Sequence, residues 1–227
     1  FYAVLAFYNQ ERELRAVVHG DDFTVLDWEH QLKCFLEKIA GEYETKQSRI
    51  GPAPADKKAV RILNRVLQWT DYGLEWEADQ RHSELIARHC NLDEKSKAVV
   101  TPGEKREFED RENSPDLTYE EAHRFRAIVA GRNYLAQDRT DVQYAVKELS
   151  RRMSAPKECD WTSAKRLGRY LINTSRSVLH FGYQEWQAGV TVWSDTDFAG
   201  CRDERKSTSG GVIMFGDHCL KSWSLTQ

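Results

Sequence analysis

The sequence predicts an α+β fold with two separate β units, one near each end of the chain, and helices between them. The first unit is indicated by apolar, β-branched runs between residues 14 and 26. Helical spacing of apolar residues dominates 118–174, and from Leu179 the spacing returns to that of strands. The length of 227 residues is enough for one large or two modest domains.

The amino-terminal quarter predicts a strand meander followed by a helix. Strands are expected at residues 1–8 and 14–26, with a Gly-marked reversal inside the second range. Asp27 is the expected N-cap of the helix, and Gly41 is expected to end it. The apolar residues of this helix share one face, and they are Leu32, Phe35, Leu36 and Ile39.

The next segment predicts a loop, a hairpin, a helix and a linker in that order. Glycine and proline mark the loop, Asp71-Tyr72-Gly73 marks the hairpin turn, and charge with Pro102 and Pro115 marks the linker. The expected ranges are 48–58 for the loop, 60–69 and 74–77 for the strands, 80–90 for the helix and 93–117 for the linker.

Helices and then strands are predicted for the rest of the chain. Thr118-Tyr-Glu-Glu121 fits a capping box, which starts the first of these helices. Further helices are expected near 140–153 and 160–174, with Asp160 as the N-cap of the second. Gly216-Asp217 is an expected turn between strands, and the strands are placed at 179–183, 190–194, 211–215 and 219–223.

Composition excludes several classes of protein. The net charge of −3 and the pI near 6.2 are not those of a free-standing basic nucleic-acid binder, so any such contact is local. No signal peptide or apolar run of membrane-spanning length is visible, and no membrane partner is expected. The five scattered cysteines favour reduced thiols and an intracellular location. A zinc site at His82, His89 and Cys90 lacks an obvious fourth ligand, and a helix surface is the simpler interpretation.

The most informative motif is Val17-Val18-His19-Gly20-Asp21-Asp22-Phe23, which places two adjacent carboxylates at a hairpin tip. Asp and Gly also form ordinary solvated turns, so a structural interpretation stands beside the functional one. Two ionised neighbours repel each other, and a divalent cation offsets that repulsion. Hard oxygen ligands suit Mg²⁺, which completes its coordination with substrate phosphates. The hairpin therefore predicts a magnesium site for phosphoryl transfer.

The hairpin is similar to the Tyr-x-Asp-Asp box of reverse transcriptases, specifically those of copia-type LTR retrotransposons. Distant segments support the resemblance in the same order along the chain. One group resembles the family's connection between polymerase and RNase H, and it comprises Tyr134–Val146, Leu149–Pro156, Trp161 and Ala164–Leu171. The other resembles the opening strands of the copia-type RNase H domain, and it comprises Trp193–Cys201, Arg205–Gly211 and Ser222–Ser224.

The resemblance implies RNA-directed DNA synthesis with two Mg²⁺ ions, with Asp21 and Asp22 as catalytic metal ligands. Asp21 is expected to be the direct ligand, and a third Asp is expected on a strand preceding Phe1. His19 stands where the family has Tyr, and a packed neutral histidine is the simpler interpretation. RNA/DNA template-primer, dNTPs and the remainder of the polyprotein are the implied partners.

The resemblance also implies that Asp195 is the first carboxylate of a two-metal RNase H site. Asp197 shares its strand face if the strand continues, with a less defined role. The remaining carboxylates are expected beyond Gln227, which makes the RNase H-like mixed sheet incomplete. The fold implied by the resemblance is the rear part of a palm with a helical thumb or connection, followed by this incomplete sheet. The expected divisions are 1–101 for palm and thumb-like region, 102–117 for linker, 118–175 for connection and 176–227 for RNase H.

Basic residues on the predicted helices provide a second hypothesis, from the class of binding modules. A remnant without catalysis retains primer-template contacts in this hypothesis, although a solvated helix face explains each cluster separately. The expected contact residues are Arg151, Arg152, Lys165, Arg166 and Arg169. A third hypothesis is a decayed element without activity. In all three, the sequence is interpreted as an internal piece of a longer product that is inactive in isolation.

Overall fold

The computed structural model describes residues 5–78, 80–93, 95–104, 108–201 and 204–227. The chain divides into two compact units, Phe1–Ser48 and Arg49–Gln227. The described residues form a mixed α and β structure with three antiparallel sheets and six α-helices. None of the described helices combines the length and apolar character needed to cross a bilayer.

The first unit is a three-stranded meander followed by one helix. Its sheet has the order β1-β2-β3 and its helix is α1. The elements are β1 (Leu5–Asn9), β2 (Leu14–His19), β3 (Asp22–Leu26) and α1 (Glu29–Glu42).

The predicted ends of α1 were wrong at both termini. Trp28, with φ −66° and ψ 150°, is the N-cap, while the carboxylate of Asp27 accepts a hydrogen bond from the Trp28 N–H at 2.6 Å. Asp27 therefore stabilises the approach to the helix rather than its first turn. Gly41 lies inside the helix, because the backbone keeps its helical hydrogen bonds as far as the Tyr43 N–H.

The second unit begins with a four-stranded antiparallel sheet of order β4-β5-β6-β7. Its strands are β4 (Ala59–Ile62), β5 (Arg65–Thr70), β6 (Gly73–Ala78) and β7 (Val178–Gly182). The single strand predicted over 60–69 was wrong, because the chain reverses at Leu63 and Asn64. Both residues have positive φ, 48° and 62°, as a type I′ turn requires. The hairpin turn predicted after β5 is confirmed.

Five α-helices and a short 3₁₀ helix at Thr140–Val142 complete the middle of this unit within the described residues. The capping box at Thr118 is confirmed, since the Thr118 Oγ1 accepts from the Glu121 N–H and the Glu121 carboxylate accepts from the Thr118 N–H. The α-helices are α2 (Gln80–His89), α3 (Phe108–Glu112), α4 (Tyr119–Leu135), α5 (Gln143–Ser150) and α6 (Glu158–Asn173).

The segment predicted to be a linker contains the short helix α3. One prediction for these helices was wrong. Asp160 is not an N-cap, because α6 begins two residues earlier. Its carboxylate lies in the first turn and accepts a hydrogen bond from the Lys157 N–H at 2.9 Å, which places acidic charge at the positive end of the helix.

The core of the second unit lies between α2, α4, α5 and α6. Phe125, Val129, Val142 and Leu167 are 0% exposed at its centre. The spacing of the buried residues on α4 follows the helical period, so one apolar face of the helix packs inward. Burial of this face is the main stabilising contribution of the helical layer.

A third sheet ends the described chain, with the order β10-β9-β8 and antiparallel pairing throughout. Its strands are β8 (Thr191–Thr196), β9 (Thr208–Phe215) and β10 (His218–Thr226). Gly216, at φ 58°, confirms the predicted turn between β9 and β10. The expectation of two β units was wrong, because the strands of the second unit form two sheets rather than one.

Candidate metal and nucleic-acid sites

The paired carboxylates lie at the tip of the β2–β3 hairpin. His19 and Asp22 are opposite each other in the ladder, so Gly20 and Asp21 are the two central residues of the turn. Gly20 has φ +63° and Asp21 does not have positive φ, as in a type II′ turn. Asp21 and Asp22 are exposed, and His19 is half-buried. Two adjacent carboxylates open to solvent are suitable oxygen ligands for Mg²⁺.

The paired carboxylates have no third ligand nearby within the described part of the chain, where no three His, Cys, Asp or Glu residues are grouped closely enough to hold a metal ion. A two-metal site built on this hairpin therefore needs at least one further carboxylate from elsewhere. Asp195 lies in the other structural unit.

The zinc alternative receives no support from the described residues. The His82 side chain lies outside them. His89 is exposed, whereas Cys90 is only 1% exposed and its sulfur accepts a hydrogen bond from the Arg132 Nη2 at 2.9 Å. The Cys90 sulfur therefore contacts the Arg132 guanidinium, which is a cation and cannot share a metal ion with it.

Asp195 is the penultimate residue of β8, which is the edge strand of its sheet. It lies opposite Gly210 of β9 and is exposed. The strand does not continue as far as Asp197, because β8 ends at Thr196. The Asp197 carboxylate instead accepts a hydrogen bond from the Thr208 N–H at 2.6 Å.

Asp197 begins the β8–β9 loop, whose described residues are 197–201 and 204–207. The Asp197 N–H donates to the Thr208 carbonyl at 3.1 Å, so backbone and side chain both bind the start of β9. A Cβ added at Gly200 would lie 2.2 Å from the Asp197 Oδ2, so glycine allows the carboxylate to pack there. Asp197 therefore has a structural role in this loop.

Arg151 is one of the basic residues assigned to nucleic acid by the sequence, and its side chain is largely enclosed. Its side chain is 10% exposed. Its guanidinium contacts the Cys201 sulfur and lies 3.4 Å from the Glu148 Oε1. Burial lowers the pKa of Arg151, but its contacts with Cys201 and Glu148 raise it by more, so the net shift is upward. Arg151 attaches the β8–β9 loop to α5.

The other basic candidates also contact protein groups. The Arg166 guanidinium lies 2.8 Å from both the Glu104 carboxylate and the Thr101 hydroxyl. Arg169 donates to the Lys97 carbonyl. Lys165 is exposed with its Nζ 6.0 Å from the centre of the Trp161 ring, and Arg152 is half-buried. The structure therefore uses Arg166 and Arg169 to hold the segment 97–104 against α6.

A groove of about 620 Å³ lies beside these residues in the second unit. Arg111, Arg151, Arg152 and Arg166 line it together with five carboxylates, so its wall carries both signs of charge. Arg111 and the partly exposed Tyr144 were not anticipated as site residues, because Arg111 lies in the predicted linker and Tyr144 has the spacing of an ordinary helix residue. The full lining is Pro102, Gly103, Glu104, Arg111, Asp141, Tyr144, Ala145, Glu148, Leu149, Arg151, Arg152, Cys159, Asp160, Ser163, Arg166, Asp197, Gly200, Cys201 and Thr208.

Comparison with known proteins relates the chain to transposon polyproteins. It is 34% identical over 147 residues, 62% of its length, to the retrovirus-related Pol polyprotein from transposon RE2 of Arabidopsis thaliana. It is 37% identical over 100 residues, 44% of its length, to the corresponding polyprotein from transposon RE1 of the same plant. An uncharacterized mitochondrial protein of Arabidopsis thaliana, AtMg00810, is 34% identical over 106 residues, 47% of the chain and 43% of that protein.

These matches cover only a small part of the polyproteins, 9% of the RE2 protein and 7% of the RE1 protein. No protein-family model matches the chain. No solved structure matches it either. The chain is thus similar to part of the Pol polyproteins of retrotransposons.

Proposed function

We propose that the chain is a section of a copia-type LTR retrotransposon Pol polyprotein and contributes to RNA-directed DNA synthesis. In this proposal residues 1–101 contain the palm hairpin of a reverse transcriptase and a thumb-like region, 102–117 a linker, 118–175 the helical connection and 176–227 the start of an RNase H-like domain. The observation that carries it is the exposed Asp21-Asp22 pair on a tight β hairpin, in a chain similar to retrotransposon Pol polyproteins.

The hairpin supports the polymerase part of the proposal through its geometry. Gly20 supplies the positive φ that lets a two-residue turn present both carboxylates at one end of a paired ladder. Strand pairing on both sides of the turn limits the movement of these carboxylates, which favours a defined ligand position over a flexible loop. Bound Mg²⁺ would stabilise the charge of an in-line displacement at phosphorus. Asp21 and Asp22 would hold the ion and orient it toward the primer end.

The RNase H part of the proposal is supported by the third sheet. Asp195 lies on an edge strand of a three-stranded antiparallel sheet with the order β10-β9-β8. A single carboxylate is insufficient for two-metal hydrolysis, so further ligands would have to come from other parts of the polyprotein. Both sets of carboxylates are therefore incomplete within the described residues, and we expect no activity from the chain alone.

The alternative of a non-catalytic nucleic-acid-binding remnant is weaker. Arg151, Arg166 and Arg169 already contact protein groups, and forming phosphate contacts would require breaking those interactions. Lys165 is exposed and remains a candidate for a local contact, whereas Arg152 also interacts with another group of the chain. A decayed element without activity is the third alternative, and it predicts an interrupted reading frame around the chain.

Primer extension on a homopolymer RNA template with Mg²⁺ tests the proposal. The polypeptide encoded by the complete reading frame should extend the primer, and the double variant Asp21→Asn, Asp22→Asn should abolish extension. Asp71→Asn is the matched control, because Asp71 is also an exposed aspartate in a β-hairpin turn. Extension that survives loss of both carboxylates would refute the metal role of the hairpin. Product formation by the purified 227-residue chain would refute its predicted inactivity.

A further inference from the structure

The four-stranded sheet and the third sheet meet where the end of β7, an edge strand, faces the β9–β10 turn. The His218 Nε2 lies 2.7 Å from the Gly182 carbonyl oxygen, and the His218 Nδ1 lies 3.2 Å from the Gln184 Nε2. The Gln184 Nε2 also donates to the Phe215 carbonyl at 2.9 Å, and the Gln184 Oε1 accepts from the Asp217 N–H at 2.9 Å. These hydrogen bonds form the His218 junction between the two sheets.

The backbone determines which way the Gln184 amide faces. The Phe215 carbonyl can only accept and the Asp217 N–H can only donate, so the amide nitrogen faces the first and the amide oxygen faces the second. An amide rotated by half a turn would place two acceptors together at one end and two donors together at the other. The turn also packs closely on this amide, because a Cβ added at Gly216 would collide with the Gln184 Oε1.

The Gln184 amide in turn determines the protonation state of His218 in the junction. The Gly182 carbonyl is an acceptor, so the ring must carry a hydrogen on Nε2. The Gln184 Nε2 is a donor, so the ring must carry no hydrogen on Nδ1. Only the neutral ring satisfies both neighbours. A proton added to Nδ1 would face an N–H group of Gln184, and the hydrogen bond between the two side chains would be lost.

Within the described part of the chain, no charged group pairs with His218 to compensate for that loss. On β7, His180 lies 3.3 Å from the Glu75 carboxylate, which it therefore occupies. The ring contact of His218 is with the uncharged Phe181, at 5.4 Å between centroids. The other titratable groups of the segment after β7, the β9–β10 turn and β10 are Tyr183, Glu185, Asp217, Cys219 and Lys221.

Little apolar area supports the junction. The Trp186 ring contacts the Phe215 ring at 5.3 Å between centroids, but the Trp186 side chain remains 84% exposed. Tyr183, which lies between β7 and Gln184, is 67% exposed. Apolar burial stabilises in proportion to the area removed from water, so the polar contacts make the larger contribution here.

The third sheet is also attached to α5. The Gln143 Nε2 donates to the Ser222 carbonyl at 3.3 Å, and the Lys147 Nζ donates to the Thr208 Oγ1 at 2.8 Å. Neither contact depends on the protonation of a histidine, so both should persist when the His218 junction opens. The sheet would then be held on its α5 side alone, as in a hinge.

We propose that the His218 junction is a pH-dependent contact between the two sheets, closed when His218 is neutral and opened when His218 takes up a proton. Histidine is the side chain that ordinarily changes its charge between pH 8 and 5. Because the closed junction requires the neutral ring, its contribution is present at the upper end of this range and is lost as the pH falls. The proposal depends on contacts within the second unit and not on polymerase or RNase H activity.

Amide hydrogen exchange of the 227-residue chain, measured by NMR at about pH 7.5 and about pH 5.5 and expressed as protection factors, tests the proposal. The Asp217 N–H should lose about 10-fold of its protection at the lower pH, since the neutral fraction of a histidine falls tenfold for each pH unit below its titration. His218→Gln should remove this pH dependence, because its amide can donate to the Gly182 carbonyl and does not titrate. His180→Gln is the matched control at an exposed histidine of β7, and it should leave the pH dependence unchanged.

Each contrary outcome identifies a different error. Equal protection of the Asp217 N–H at both pH values in the wild type would refute the proposal. A loss that persists in His218→Gln would assign the titration to another group and would also refute it. The amide of Val129, a 0% exposed residue of α4, should keep its protection at both pH values, and an equal loss there would show unfolding of the whole unit rather than opening of the junction.

His218→Ala provides a second measurement. This variant removes both ring nitrogens, so the Asp217 N–H should be poorly protected at both pH values, and full protection would contradict a role for the ring. Circular dichroism establishes that the variant folds. If His218→Ala does not fold, the comparison of wild type with His218→Gln decides the question without it.

Discussion

Arg132 of α4 and Cys90, the residue after α2, form a fully buried contact, with the Arg132 Nη2 2.9 Å from the Cys90 sulfur. The same Nη2 donates to the Ala164 carbonyl of α6 at 2.7 Å. Three helical segments therefore meet at one guanidinium. Burial lowers the pKa of Arg132 and raises that of the Cys90 thiol, whose rise is only partly offset by Arg132 and Lys165. Two hydrogen bonds hold the Arg132 guanidinium, and none of the described carboxylates forms an ion pair with it.

We predict that Cys90→Ala lowers the free energy of unfolding by about 2 kcal/mol, because it removes an acceptor from a buried charge. Urea unfolding followed by tryptophan fluorescence measures the change. Cys219→Ala, at a half-buried thiol in β10, is the control and should have a smaller effect. Equal effects of the two substitutions would contradict a special role for the contact with Arg132.

The pH dependence of stability provides a second test of Cys90. Its pKa is raised in the folded state above the ordinary 9.0, so above pH 9 the unfolded thiol loses a proton that the folded thiol keeps. Stability from this group is present below pH 9 and falls as the pH rises. Thermal unfolding between pH 8 and about 10.5 should show this fall, and Cys90→Ala should reduce it. A profile that Cys90→Ala leaves unaltered would count against the prediction.

We predict that Asp141 stabilises the contact between the 3₁₀ helix and the end of α6, which Arg139 joins. Arg139, only 1% exposed, donates from Nε and Nη2 to the two Asp141 oxygens at 2.8 and 2.7 Å, and its Nη1 donates to the Thr174 carbonyl at 2.7 Å. Asp141→Asn should cost about 3 kcal/mol, because it leaves the buried guanidinium without its counter-charge. Asp116→Asn, at an 83% exposed side chain, should change stability by less than about 0.5 kcal/mol in the same unfolding experiment.

Acid should remove the contribution of Asp141. Burial raises its pKa, but hydrogen bonds from Arg139 and Tyr170 lower it by more, so the folded-state pKa lies below the ordinary 3.8. Stability from this carboxylate is therefore present above pH 3.8 and is lost as the pH falls through the lowered value. The stability difference between wild type and Asp141→Asn should shrink at low pH, and a constant difference would exclude this account.

The capping box predicts that replacing Thr118 by alanine lowers the stability of the second unit. Thr118→Ala should destabilise the second unit by about 1 kcal/mol, since it leaves the Glu121 N–H without its side-chain acceptor. The hydrogen bonds from Thr118 also lower the pKa of Glu121, so this stabilisation is lost as the pH falls below the ordinary 4.5. Thr162→Ala on the exposed side of α6 is the control and should cause no loss. Equal unfolding midpoints for wild type and Thr118→Ala at neutral pH would disprove the prediction.

One substitution made at two glycines should have opposite effects. Gly20→Ala should destabilise the β2–β3 hairpin by about 1 kcal/mol, because φ is +63° and an added Cβ has nothing within 4 Å to contact. Gly131→Ala, inside α4 and also without neighbours within 4 Å, should stabilise by about 0.5–1 kcal/mol. Hydrogen exchange of the amides around each glycine measures both changes, and the same sign at both positions would contradict the argument from φ.

The sequence predicted correctly those structural features that depend on contacts between residues near each other in the chain. The capping box at Thr118, the helical period of α4 and the glycine turns at Gly20 and Gly216 all involve residues within four positions of each other. The turn at Leu63 and Asn64 was missed, because it has no glycine and its positive φ values are imposed by pairing of β4 with β5. Pairing between strands there outweighs the preference of the residues themselves.

The candidate sites were predicted less completely than the elements. The Asp21-Asp22 pair was noticed because the two carboxylates are adjacent in the sequence, and its position on a hairpin is confirmed. Cys201, Glu104 and Arg132 are the distant partners of Arg151, Arg166 and Cys90. They lie 50, 62 and 42 residues away in the sequence, so spacing alone could not reveal them. Arg151, Arg166 and Arg169 suggested a binding surface in the sequence, but in the structure they contact other groups of the protein.

The pairing of β6 with β7 joins Glu77 to Val178 and Gly73 to Gly182, across a separation of about 100 residues. During synthesis β6 remains an unpaired edge until the whole helical layer between them has emerged from the ribosome. Formation of α4, α5 and α6 should therefore precede completion of the first sheet of the second unit, since closing so long a loop is slow. Until then the exposed edge of β6 is the segment of this sheet most open to pairing with another nascent chain.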